Sequence, residues 1–203
     1  MVGAGINGCR VLSRTRTFYK KRYAGSGKVR IITKRRGRIM DLYLLRHGRA
    51  GQSSGYFDDS TRPLTAEGKK EVRNAARFLK RKKIRFDAIA TSPLLRARET
   101  AEIVAKVMGA KEDPVIWDEL EPGGDPDTLC YRASQYGEDA VLLLVGHEPS
   151  LSGLISRIIG GGSGASMALG KGGLAKVRHF SFVHSPAGEL QWLLSAGLLA
   201  EME

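Results

Sequence analysis

An arginine and a histidine side by side, Arg46-His47, close the apolar run Leu42-Tyr43-Leu44-Leu45 and open onto Gly48, Arg49 and Ala50. An apolar run of this length reads as a buried strand, and the glycine behind it as the start of a loop. In an open α/β sheet ligands bind at the carboxyl ends of strands, so Arg46 and His47 are expected to face such a crevice. A neutral imidazole nitrogen can attack phosphorus, and a guanidinium beside it can hold two phosphoryl oxygens while offsetting the charge of the transition state. The chemistry this pair points to is phosphoryl transfer through a phosphohistidine. Taken alone, the same residues read better as a loop cap and a surface ion pair, so the decision rests on the rest of the chain.

Three further motifs follow in order: Arg62-Pro63-Leu64-Thr65-Ala66-Glu67-Gly68, Ser92-Pro93-Leu94-Leu95-Arg96-Ala97-Arg98-Glu99-Thr100-Ala101, and Val145-Gly146-His147-Glu148-Pro149. With the first motif, this series resembles the histidine phosphatase superfamily in content and order. The short chain and the segment Glu119-Leu120-Glu121-Pro122-Gly123-Gly124-Asp125 are most similar to the small SixA-type phosphohistidine phosphatases. The resemblance starts at residue 40 and leaves the first 39 residues unexplained. It implies that His47 is the nucleophile, that Arg46 and Arg96 bind the phosphoryl oxygens, and that His147 donates a further hydrogen bond to them. Arg62 is a substrate-binding candidate. Glu67, Arg98, Thr100 and Glu148 are read as structural, as are His179 and His184.

In mutase-like branches of the superfamily an acidic residue after the third strand protonates the leaving oxygen. Glu119 or Glu121 stands in that region here, and Glu119 is carried as the candidate. The SixA-like branch is described as lacking a compelling acid, which chemistry permits: a protonated phosphoramidate nitrogen leaves as neutral imidazole and demands less proton transfer than an alkoxide. No metal and no cofactor are expected, because the arginines supply the positive charge that magnesium supplies elsewhere. The expected activity is hydrolysis in two steps, transfer to His47 and then attack of water. A short chain with little room for an inserted cap suggests an open site suited to a phosphohistidine borne on a protein. The alternatives are a small substrate, such as a sugar or nucleotide phosphate, or a basic nucleic-acid or membrane-binding protein on an inactive phosphatase fold.

The net charge of +12 bears on that last alternative, and its location decides how far. Residues 1–39 hold twelve Lys and Arg and no Asp or Glu, which leaves 21 basic and 21 acidic residues for 40–203. The body is neutral, so contact with nucleic acid or an anionic surface is expected through the tail only. Residues 1–39 are read as a basic, disordered extension, with an organelle-targeting peptide and a start placed too early upstream of Met40 as the competing explanations. Residues 40–203 are read as the phosphatase domain. No apolar stretch reaches membrane-spanning length. Cys9 and Cys130 lie far apart, with no metal-ligand spacing, which fits a reducing, cytoplasmic compartment and an idle thiol at Cys130.

The elements that must position these residues alternate. Strands are expected over 41–46, 86–91, 115–117, 140–145, 173–182 and 189–194, the last two joined by a turn at 185–188. Helices are expected over 65–83, with Thr65 as N-cap and Val72, Ala75, Ala76 and Leu79 buried, over 92–108, with Ser92 as cap and Arg96 one turn in, and over 128–136 and 150–159. The polar loop 48–63 is long enough to be functional or mobile, and 160–164 reads as a linker or lid hinge. Such alternation implies an α/β fold, a three-layer α/β/α sandwich with a mostly parallel central sheet. The loops after Leu45 and Val145 then share one sheet edge, bringing Arg46, His47 and His147 together.

Overall fold

The computed structural model describes residues 19–20, 31–32, 40–52, 58–160 and 164–202. The chain divides into two compact units, Met1–Gly37 and Arg38–Glu203. In the first, β1 (Tyr19–Lys20) pairs antiparallel with β2 (Ile31–Ile32), Tyr19 opposite Ile32. Strands of two residues are too short to leave a periodicity in the sequence, and none was expected there. The readings of residues 1–39 as a disordered arm, a targeting peptide or an early start otherwise lie outside the described residues.

The second unit is built from β3 (Asp41–Arg46), α1 (Ala66–Arg81), β4 (Ala88–Thr91), α2 (Leu95–Met108), β5 (Val115–Ile116), α3 (Pro126–Ser134), β6 (Val141–Gly146), α4 (Ser150–Gly160), β7 (Leu174–Phe182), β8 (Pro186–Leu194) and α5 (Ala196–Glu201). The strands form one sheet in the order β5-β4-β6-β3-β7-β8. The first four run parallel, and β7 and β8 add an antiparallel edge. β6 is buried at all six positions and β3 at its four central ones, which is why both read as continuous apolar runs. Successive side chains point to opposite faces. Leu42 and Leu44 join the core containing Leu129, Cys130, Leu151 and Ile155 from α3 and α4; Tyr43 and Leu45 join the one containing Val72, Leu79, Ala97, Ala101 and Leu199 from α1, α2 and α5. Helices therefore cover both faces, in the expected three layers. Among the described residues no helix is long and apolar enough to cross a membrane.

α1 begins as the sequence indicates, with Thr65 Oγ1 accepting from Gly68 N at 3.0 Å, and it buries all four expected residues. Other boundaries move for local reasons. α2 starts at Leu95 rather than Ser92, its N-cap Leu94 makes no side-chain cap, and Arg96 is its second residue. α3 starts at Pro126 because Asp125 Oδ2 accepts from Thr128 N at 2.7 Å, giving a capped start with proline in the first turn. β8 absorbs most of the expected turn at 185–188, because Pro186 opens the last strand of the sheet, where no donor is needed. α5 was not expected: it has six residues and buries only Leu199, too little for a helical period. The hinge reading of 160–164 falls mostly on residues 161–163, outside the described ones, as does the middle of the loop 48–63.

Candidate active site

The parallel register of β3 and β6 sets Arg46 opposite Gly146, so the residue after each strand is a histidine at the same end of the sheet. His47 N donates to Gly146 O at 3.1 Å, and the two imidazole rings lie 4.9 Å apart between centroids, tilted by 53°. Both rings are buried, His47 at 6% and His147 at 2% exposure. The loop after His47 can lie this low only because two glycines meet there. A Cβ on Gly48 would stand 2.6 Å from Gly68 O, and one on Gly68 would stand 2.0 Å from Arg49 O. Gly48 N is also bonded to Thr100 Oγ1 (3.3 Å), and Thr100 Oγ1 donates to Arg96 O at 2.7 Å, which ties the loop to the first turn of α2. Thr100 is structural in the way the sequence suggested.

His47 Nδ1 lies 2.8 Å from Gly48 O, an acceptor only, so the ring carries its proton on Nδ1 and leaves Nε2 with a free lone pair. Burial lowers its pKa from 6.5 to about 4 against the opposing hydrogen bond to Gly48, and Arg96, Arg46 and Lys171 lower it further. His147 is pushed down to about 3, chiefly by burial and then by His47, Arg96, Arg46 and Arg62. Both rings are neutral at pH 7, and the His47 Nε2 lone pair is available without a base to expose it.

Three arginines surround this pair. Arg46 Nη1 donates to Leu169 O at 3.0 Å. Arg96, 4% exposed, donates from Nη1 to Asp59 O (2.7 Å), and its Nη2 pairs with Asp59 Oδ2 at 2.8 Å. Arg62 Nη2 holds the other carboxylate oxygen, Oδ1, at 2.7 Å, and Arg62 Nη1 donates to Gly51 O at 3.0 Å. One carboxylate thus bridges the two arginines, which shows that their forks converge on a planar anion. Burial lowers the Arg96 pKa, opposed by Asp59 and reinforced by Arg62. Four buried side-chain nitrogens among the described residues have no hydrogen-bond partner: Arg46 Nε, Arg62 Nε, Arg96 Nε and His147 Nδ1. Each such group costs on the order of 1–3 kcal/mol while unpaired, so an acceptor oxygen that reached these four nitrogens would relieve that cost.

Glu119 goes elsewhere. Its two oxygens both accept from Arg132 Nη1, at 3.1 and 2.8 Å, and the Arg132 guanidinium stacks over Trp117 at 4.9 Å. No hydrogen bond or ion pair among the described residues joins Glu119 to the histidines or to Arg46, Arg62 and Arg96. The Glu119 carboxylate, the acid candidate of the sequence, is engaged here in a tie to Arg132 across the loop before α3. Glu148 is structural as expected, and its role is specific. Its Oε1 accepts from Leu169 N at 3.1 Å, so it fixes the backbone whose carbonyl orients Arg46. Cys130 is a buried thiol pushed up to about 12, mainly by burial. Cys9 lies outside the described residues.

Sequence reasoning missed four contributors. Asp59 was visible only as one of an acidic pair in a polar loop. Leu169 and Lys171, 123 and 125 residues from Arg46, belong to a segment with no motif, and the turn that bonds Gly172 N to His47 O and Arg46 N to Gly173 O, both at 3.1 Å, brings them close. Ser92 read as a helix cap, and its side chain instead reaches His147 Nε2 at 2.9 Å.

The depressed histidines set the acid stability. Between pH 6.5 and their folded values of about 4 and about 3, the unfolded chain binds protons that the folded chain refuses, so stability falls as pH drops through that window and levels off below it. By pH 5 the loss is roughly 2 kcal/mol per histidine. Urea unfolding at pH 7 and pH 5 should show this difference, and a His47→Gln/His147→Gln variant should lose most of it. An equal pH slope in that variant would refute the assignment.

Comparison with known proteins agrees with the geometry. The family model for the histidine phosphatase superfamily (branch 1) matches residues 42–121. An uncharacterised protein of Picosynechococcus is 36% identical over 141 residues, covering 68% of this chain and 85% of its own. The phosphohistidine phosphatase SixA of Escherichia coli is 30% identical over 124 residues, 60% of this chain and 76% of its own. A solved structure of the protein histidine phosphatase SixA with tungstate superposes with a TM-score of 0.67 at 26% identity, covering 81% of this chain and all of that one.

Proposed function

Because the chain belongs to the histidine phosphatase superfamily, with SixA among its relatives, we propose that it hydrolyses phosphohistidine in proteins through a phosphoenzyme on His47. The observation that carries this reading is the set of four unpartnered nitrogens, on Arg46, Arg62, Arg96 and His147, around a neutral imidazole with Nε2 free. In the first step His47 Nε2 attacks phosphorus, its bond to the leaving nitrogen breaks, and the arginines and His147 donate to the oxygens on which charge collects. Water then attacks the phosphohistidine, and inorganic phosphate leaves with His47 regenerated. The Nδ1–H bond to Gly48 stabilises the positive charge that the ring carries while phosphorylated. An engaged Glu119 favours a substrate that needs little acid assistance, since a protonated phosphoramidate expels neutral imidazole.

The test is phosphate release from a histidine-phosphorylated protein and from a panel of sugar, nucleotide and aryl phosphates, using the full chain. The expected result is a kcat/KM for the protein substrate at least about tenfold above any ester, a rate unchanged by EDTA, and competitive inhibition by vanadate, an oxyanion that suits the same arginines. A preference for one of the small esters would replace the substrate class and keep the chemistry. Loss of activity in EDTA, restored by magnesium, would sink the metal-independent mechanism.

A further inference from the structure

The side chain of Ser92 is fully buried at the end of β4, and its backbone N donates to Val145 O at 3.0 Å, so the sheet itself fixes it beside the strand that carries His147. Its Oγ accepts from Leu94 N at 3.3 Å and lies 2.9 Å from His147 Nε2. A serine hydroxyl has one proton to give. With Leu94 N–H already pointing at the oxygen, the partner for the Ser92 O–H is His147 Nε2. The opposite arrangement, with Nε2–H donating to Oγ, would bury a hydroxyl proton with no acceptor and leave His147 Nδ1 as a bare lone pair. That lone pair would sit where an anion is to bind.

We propose that Ser92 is a positioning residue that holds His147 in its Nδ1–H tautomer, so that the unpartnered Nδ1 is the donor His147 offers to the phosphoryl group. This rests on the phosphohydrolase reading of the site. Two further observations agree with it. His147 is neutral, because burial and the neighbouring cations hold its pKa at about 3, so the ring carries one proton and the tautomer decides its polarity at each end. Nδ1 is also one of the four buried nitrogens without a partner, as a donor reserved for ligand would be. His47 reaches the same tautomer by a different device, a bond from Nδ1 to the Gly48 carbonyl. One histidine thereby presents a lone pair from Nε2 and the other a proton from Nδ1, the two complementary faces that a nucleophile and an oxyanion donor require.

The test is the tautomer itself, read by long-range proton–nitrogen correlation NMR on the nitrogen-labelled full chain at pH 7, with His147 assigned by comparison with His147→Gln. The expected wild-type spectrum shows His147 Nδ1 protonated and Nε2 bare. In Ser92→Ala the ring should relax toward the Nε2–H form, which free imidazole side chains favour. Turnover at saturating substrate should fall about tenfold to a hundredfold while phosphoenzyme still forms on His47. Ser92→Thr, which keeps the hydroxyl, should restore the wild-type tautomer and much of the rate. A wild-type His147 protonated at Nε2, or a Ser92→Ala spectrum with the tautomer unmoved, would overturn the proposal. The expected spectra in a protein that hydrolyses no phosphorylated substrate would leave the Ser92 arrangement standing and refute the proposed function instead.

Discussion

His47→Ala is expected to abolish turnover and, with it, any acid-labile phosphoenzyme. Among the described groups at the site only His47 Nε2 is a neutral nucleophile with its lone pair free, since His147 Nε2 is engaged by Ser92 and the arginines are cations. The imidazole also cannot be replaced from a distance, because both rings are buried and held by the ends of β3 and β6. His147→Ala should behave differently: it removes one oriented donor, which costs on the order of a hundredfold to a thousandfold, and still leaves a nucleophile that labels. Rapid-quench labelling with a phosphohistidine donor separates the two variants. Acid-labile label that survives His47→Ala would assign the nucleophile elsewhere.

The second large effect is expected at Gly68, which carries no side chain and lies in the first turn of α1. In an exposed helix, alanine in place of glycine gains up to about 1 kcal/mol, and Gly153 of α4, with nothing within 4 Å of its added Cβ, should show that gain. Gly68→Ala reverses the sign. Its Cβ would meet Arg49 O at 2.0 Å and Arg49 N at 2.7 Å, both backbone atoms. Arg49 O is itself the acceptor for Thr65 N, 2.9 Å away, at the start of α1. Either the helix or the loop that follows His47 must move. The expected cost is about 3 kcal/mol of stability. The activity loss should exceed what the unfolded fraction explains, since displacing the loop by about 1 Å costs about a hundredfold. Denaturation midpoints of the two alanine variants, with turnover measured well below both, check this; a Gly68→Ala midpoint at or above wild type would refute the close approach.

The glycine pair also shows how much of the site can be read in the chain. Arg46 and His47 were legible because a strand's end has a local signature: four apolar residues, then a glycine, with chemistry-bearing side chains between. Val145-Gly146-His147 ends a second apolar run, here with the glycine before the histidine, and the parallel sheet implied by alternating strands and helices then places both strand ends at one edge. Arg96 was legible for a similar reason, its helix start being marked by Ser92-Pro93. Helix α1 announced itself through Thr65 and the spacing of Val72, Ala75, Ala76 and Leu79, all buried as expected. These features are encoded over a few residues, and hydrophobic periodicity and capping report them without any tertiary information.

What the chain alone did not determine is which partner each polar atom takes, because a hydrogen bond forms between groups that are neighbours in space and the sequence records only neighbours along the backbone. Glu119 read as a candidate acid from its place in the chain, and Arg132, thirteen positions on, holds both its oxygens. Asp59 looked like loop polarity and is the carboxylate that bridges Arg62 and Arg96. Ser92 looked like a cap, a role its residue type fits, and packing turned its hydroxyl toward a histidine 55 positions away. Burial has the same standing: that His47 and His147 are neutral follows from their enclosure beside three cations, which no local pattern contains. The sequence by itself determined the order of elements from β3 to β8 and the candidate reactive groups, since periods of two and three to four residues mark the first and short motifs mark the second. The tertiary structure alone decided their protonation, tautomers and partners, since those depend on desolvation and on contacts closed across more than a hundred residues of chain.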